Sequence, residues 1–265
     1  MHADFTFRLV TLYGFLLALA RVSGVVVFVP IPGFSAGPDA SRVVLALALT
    51  LALFPAWSTL ATRVGNIGDG AALPAGRLAG CIIGETFFGM TVGLAVAFLL
   101  EGVQLAAQAL GLQAGYSYAS TVDPTTQADT TTLQLMAQLL AGFLFFAFGF
   151  DRQVLAALSR SFESGPGSGF SRDGQMVEAI TRLGAGIFAT GIQLALPVLA
   201  LLVLLDIAFA VLGRLHAQLQ ILSLSFSIKM LTALVFLASV LSVYPGVFER
   251  SGALTFGVLD RVLNR

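Results

Sequence analysis

The stretch AGRLAGCIIGETFFGMTVGLAVAFLLEGVQLAAQALGL, residues 75–112, runs without a proline or a cluster of turn formers. At ~1.5 Å per residue it makes a helix well over ~50 Å long, where a bilayer's hydrocarbon core needs only ~30 Å. A helix so long and so apolar has to tilt, kink or project beyond the lipid. Working outward, further apolar runs at 9–29, 133–150, 184–205 and 230–243 approach or exceed spanning length. Hydrophobic residues make up 57% and charged ones 11% of the chain, and the mean hydropathy is +0.91. Soluble domains carry about 25% charged residues. The fold class is therefore an all-α membrane protein with about six hydrophobic helices, the third and fifth of them overlong.

The punctuation divides the chain. The first predicted helix, about 5–29, stops at Pro30 and Pro32, because proline lacks a backbone donor and biases its predecessor away from helix. Residues 33–41 form a loop, the second helix closes near Pro55, and 59–76 is polar with Asn66, Gly68 and Gly70. After the long third helix, 113–132 is polar and free of Lys and Arg, and a fourth helix ends at Phe150. The fifth, about 176–212, contains Pro197, where a kink is expected. The sixth, about 222–243, ends at Pro245 and Gly246 and leaves a mildly amphipathic tail. Residues 1–265 read as one integral membrane domain, with a four-helix part (1–150), a charged, Gly-rich cytoplasmic loop (151–176) and a C-terminal hairpin and tail (177–265).

Charge sets the orientation and excludes several classes. With six spans, one side holds Arg8, Arg63, Arg77, Arg152, Arg160, Arg172, Arg182, Arg250, Arg261 and Arg265, while the other holds only Arg42 and Arg214. Positive loops stay cytoplasmic, so both termini are expected there. The first apolar run is long for a signal peptide, and it is expected to be retained. Net charge is zero with no basic block, which argues against nucleic acid as a partner. Cys81 has no second cysteine, and His2 and His216 are far apart, so neither a disulfide nor a zinc spacing is offered. The run Gly165-Pro166-Gly167-Ser168-Gly169 lacks the preceding strand of a nucleotide loop. No catalytic residue, metal or cofactor is expected.

The polar residues inside apolar helices carry more information, because an ionisable group in lipid normally faces protein or water. Arg21, Glu85, Glu101, Asp206 and Lys229 are such groups, and they fit either an ion or proton relay or pairing between helices, for instance Asp206 with Lys229. Glu101, Gln104 and Gln108, at i, i+3 and i+7, share one helix face. That face suits an aqueous path or an ordinary interface. Small residues at helical spacing (Gly80 with Gly84, Gly89 with Gly93, Ala185 with Ala189) allow close helix approach. A secondary transporter would show paired broken helices in two halves of the chain. Only the fifth helix has a mid-run proline, and no repeat is visible.

The run from Gln104 to Pro124, QLAAQALGLQAGYSYASTVDP, resembles the most recognisable segment of the FliR/SpaR/YscT family of type III export-gate subunits. Supporting pieces are Ala20-Arg21-Val22-Ser23-Gly24 leading to Pro30, Arg42 opening a helix that ends at Pro55, Ala195-Leu196-Pro197-Val198 followed by Asp206, and Phe226-Ser227-Ile228-Lys229. The resemblance implies a non-enzymatic subunit of an export gate in the bacterial inner membrane, at the flagellum basal body. Its partners would be FliP-like, FliQ-like and FlhB-like subunits, membrane lipid and unfolded flagellar export substrates; a virulence secretion homologue is the alternative. It also implies that the segment after the long helix plugs the closed pore. The matching residues are Gly111, Leu112, Gln113, Gly115, Tyr116, Ser117, Tyr118, Ser120 and Asp123. Gly111 and Gly115 permit tight turns there, and the hydroxyls are uncharged hydrogen bonders.

Overall fold

The computed structural model describes residues 2–29, 39–58, 75–116, 132–163, 175–215 and 221–263, and among these there is no strand. In chain order the helices are α1 (His2–Phe28), α2 (Asp39–Ala52), α3 (Ala75–Ala114), α4 (Thr132–Ala147), α5 (Phe150–Ser161), α6 (Gln175–Leu215), α7 (Ile221–Val240) and α8 (Tyr244–Leu263). The two overlong helices are present, α3 with 40 residues and α6 with 41, the latter passing through Pro197 as one helix. Among the described residues three helices are long and apolar enough to cross a bilayer: Thr11–Phe28, Ala75–Ala114 and Glu178–Leu215. The number rises to five if Leu133–Ala147 with Phe150–Ser161, and Leu224–Ser239 with Tyr244–Arg261, each form one broken span. The second expected span is α2, whose 14 residues reach only ~21 Å.

Two stretches differ from the sequence expectation. The charged loop expected over 151–176 opens as the helix α5, with Val154, Ala157, Leu158 and Ser161 buried on one face at i, i+3, i+4 and i+7. Arg152 and Arg160 fall on the other side and Asp151 at the flank, so a period-3.6 pattern lies beneath the charge density. The tail beyond 243 is likewise a helix. Pro245 sits in the first turn of α8, where its missing N–H leaves no hydrogen bond unmade. Residues 164–174, with the Gly-rich run, lie outside the described residues, as do the loop segments 30–38 and 59–74.

The chain divides into two compact units: Met1–Phe98, Phe145–Gly184 and Ala253–Arg265 form the first, and Leu99–Leu144 with Ala185–Gly252 form the second. These units cut the chain differently from the consecutive parts 1–150, 151–176 and 177–265. In the first unit α1 packs on α2. Trp57 closes that end, its indole N–H donating to the Thr50 carbonyl at 2.7 Å while Phe15 and Phe54 meet its ring edge-on. Phe150 of α5 stacks at a tilt on Phe256 of α8, with ring centres 5.3 Å apart. In the second unit α3 buries Val103, Ala106, Ala107, Leu110 and Ala114, and α6 buries Leu194, Ala195, Val198 and Leu202.

Glycines set the close helix contacts in both units. A Cβ on Gly89 would overlap the Arg21 carbonyl oxygen, one on Gly93 would lie 2.6 Å from the Val25 oxygen, and one on Gly24 would lie 2.8 Å from the Met90 nitrogen. Backbones of α1 and α3 therefore touch. Of the other small residues at this spacing, Gly80 faces open space and Ala185 and Ala189 are exposed. The seam between α3 and α6 uses Gly191 instead, where a Cβ would sit 2.9 Å from Leu105 and 3.2 Å from the Gly102 oxygen.

Candidate functional site

The end of α3 is the best-defined polar site of the second unit. Gly115 adopts φ +87°, in the left-handed region that disfavours a side chain. The Tyr116 N–H donates to the Gly111 carbonyl at 2.9 Å and the Gly115 N–H to the Leu112 carbonyl at 3.3 Å. This 6→1 and 5→2 pattern is the Schellman closure of a helix, with Gly115 just past the cap. Gly111 stays inside α3; only Gly115 makes the turn.

Side chains then tie this terminus to α6 and α7. Gln113 Nε2 donates to Asp206 Oδ2 at 2.8 Å, and Lys229 Nζ lies 2.8 Å from Asp206 Oδ1. One carboxylate thus serves two helices, one through each oxygen. Tyr116 reaches α7 as well, its hydroxyl donating to the Met230 carbonyl at 3.0 Å. Burial pushes the Tyr116 phenol above its ordinary pKa, so it remains a neutral donor at physiological pH. A Cβ on Gly115 would come within 2.8 Å of the Phe226 ring, so α7 presses on the turn itself. Phe226, Lys229 and Met230, at i, i+3 and i+4, form the α7 face that receives it.

Along α3 the remaining sequence candidates occupy the opposite side. Glu101 and Gln108 are exposed and Gln104 half-buried, with Gln104 Nε2 3.5 Å from Glu101 Oε1, at the outer limit of a hydrogen bond. Behind the buried face lies an apolar cavity of about 290 Å³, walled by Val103, Ala107 and Leu110 of α3, Leu133, Met136 and Leu140 of α4, Leu234 and Leu237 of α7, and Tyr244. The long helix is polar on one side and seals apolar space on the other. Leu112 is exposed. Ser117, Tyr118, Ser120 and Asp123 lie outside the described residues.

The first unit holds a second constellation around Arg21. Its Nε meets Glu85 Oε2 at 2.5 Å, both side chains almost fully buried. Its Nη1 donates to the carbonyl of Ser161 and, at 3.0 Å, to the Ser161 hydroxyl. The guanidinium plane lies between the rings of Phe88 and Phe162, 4.7 and 5.0 Å from their centres. Ser161 ends α5, so the cation also caps the negative end of that helix. Arg21 and Glu85 stand out in the sequence as charges in apolar helices, but Ser161, Phe88 and Phe162 do not. No chain-local signal links residues 140 positions apart. Among the described residues no cluster of His, Cys, Asp or Glu suits a metal ion.

Long apolar helices carrying satisfied buried charges, with a polar helix end clamped by a hairpin, define a polytopic helical membrane protein built for packing and positioning. The family described as Bacterial export proteins, family 1, matches residues 12–253, and the chain belongs to it. The flagellar biosynthetic protein FliR of Escherichia coli is 27% identical over 180 residues, covering 68% of this chain and 69% of that one. FliR of Bacillus subtilis is 24% identical over 256 residues, 94% of each chain. The secretion system apparatus protein SsaT of Salmonella typhimurium is 25% identical over 156 residues, 58% of this chain and 60% of that one. As a family member with these relatives, the chain is a membrane component of flagellar type III export and works in a complex with other subunits.

Proposed function

We propose that this chain is a core subunit of the flagellar export gate in the bacterial inner membrane, at the flagellum basal body. With FliP-like, FliQ-like and FlhB-like subunits it forms part of the conduit through which unfolded flagellar proteins leave the cytoplasm. Its role is to shape and close a path rather than to catalyse a reaction. The observation that carries this reading is the clamped terminus of α3. Gln113, Gly115 and Tyr116, which belong to the run resembling the family's plug, meet Asp206 and the Phe226–Met230 face of α7.

The chemistry suits a closure that releases its cargo. A plug made of neutral hydrogen bonders and glycines packs shut without an electrostatic grip on a passing chain. Glu101, Gln104 and Gln108 line the water-facing side, and Arg21–Glu85 and Asp206–Lys229 act as structural pairs rather than as a relay. The test is a deletion of residues 115–120 in the gate co-expressed with its partner subunits, read as leak of small ions across the membrane. A marked rise in leak is expected; a leak equal to that of the intact gate removes the plug assignment. The similarity to SsaT favours, as a second reading, a virulence secretion gate. Loss of motility on deletion of the gene decides for the flagellar one.

A further inference from the structure

We propose that Asp206 is the positioning residue of the α3 terminus, using its two oxygens to set the turn at Gly115–Tyr116 against the α6–α7 hairpin; this rests on the plug reading above. Oδ1 holds Lys229 and Oδ2 holds Gln113, both at 2.8 Å. The Lys229 side chain is 13% exposed and Asp206 43%. The ammonium is thus the more buried charge and depends on the carboxylate, whereas Asp206 is the more open of the two. The carboxylate is carried by α6 and pairs with Lys229, and Gln113 takes its position from the carboxylate. Gln113 lies on the last turn of α3, and three residues further on Tyr116 fastens the chain to the Met230 carbonyl. Phe226 stands against Gly115 and blocks a sideways slip.

An order of importance follows. Losing Asp206 breaks both arms at once and strands Lys229. Losing Gln113 breaks only the α3 arm and leaves the ion pair intact. Losing Lys229 leaves a half-exposed carboxylate that still accepts from Gln113, so it disturbs the turn least.

The experiment uses the full chain assembled with its partner subunits, with spin labels at the exposed positions Leu112 of α3 and Leu231 of α7. The readouts are the distance distribution between the labels and the ion leak. Asp206→Asn and Gln113→Leu are expected to broaden the distribution and to raise the displaced population roughly tenfold, the scale of one lost charge-assisted hydrogen bond. Lys229→Met should change it less. If Asp206→Asn fails to accumulate, Gln113→Leu, which spares the ion pair, decides. Unchanged distances in both Asp206→Asn and Gln113→Leu overturn the proposal, even if the 115–120 deletion leaks. Broadened distances with a tight 115–120 deletion support the positioning role while removing the plug reading.

Discussion

At the scale of single residues, Arg21 shows how a charge is held in an apolar helix bundle. Its guanidinium meets a carboxylate, a helix-end carbonyl, a hydroxyl and two ring faces. Each contact offsets part of the desolvation cost, and the planar fork suits the slot between Phe88 and Phe162 in a way an ammonium does not. Removing one partner leaves the other charge buried alone, at a cost of about 3–5 kcal/mol. Arg21→Met and Glu85→Gln should each lower the denaturation midpoint and cellular level of the protein, and the double variant should be milder than the sum of the two. Midpoints for both single variants equal to that of the parent would contradict this. The same scale shows what the sequence makes legible. Asp206 with Lys229 is suggested by two opposite charges on consecutive hydrophobic helices. Gln113 as third member is not, because an amide near a helix end carries no mark of its partner.

Among the elements, glycine decides which helices touch. Gly89 and Gly80 lie on the same helix in similar company, yet one meets the backbone of α1 and the other meets nothing. Gly89→Leu should force α1 from α3 and with it Arg21 from Glu85, a loss of several kcal/mol, about the scale of overpacking plus a broken buried pair. Gly80→Ala should be neutral or slightly stabilising through helix propensity. Thermal denaturation of the two variants checks the contrast, and equal midpoints would contradict the assigned seam. Spacing alone proposes Gly80–Gly84, Gly89–Gly93 and Ala185–Ala189 equally, yet Gly89 and Gly93 meet the α1 backbone while Gly80 faces open space and Ala185 and Ala189 are exposed. Orientation about the helix axis settles the matter, and an apolar helix with no distinct polar face does not encode that orientation. The α3 terminus is legible in part, since Gly115 is expected to permit a tight turn, but that the turn caps the helix at Gly115 rather than near Leu112 is not. The helix α5 was not, because its charges masked an amphipathic period. Gly149, at φ +66° with open space around its Cβ position, marks the break before α5 by backbone conformation alone.

For the whole molecule, hydrophobicity exceeds what the chain buries within itself. Of an apolar 18-residue stretch within 178–215 of α6 only 22% is buried, and Phe188, Ile192 and Leu196 repeat along one exposed line, as do Met136, Leu139, Phe143 and Phe146 on α4. Composition announced a membrane protein correctly, and among the described residues three of the apolar helices are continuous spans by length and composition, or up to five if each bent pair is one. Length and continuity depend on tertiary packing, which a hydropathy run does not report. The central claim is that this chain is a subunit of a gate rather than a machine in itself. The most direct measurement is the composition and mass of the particle recovered when the chain is purified from membranes in mild detergent. A stable complex containing FliP-like and FliQ-like subunits is the expected result. A monodisperse single chain of 27.7 kDa that moves a solute unaided would contradict the account.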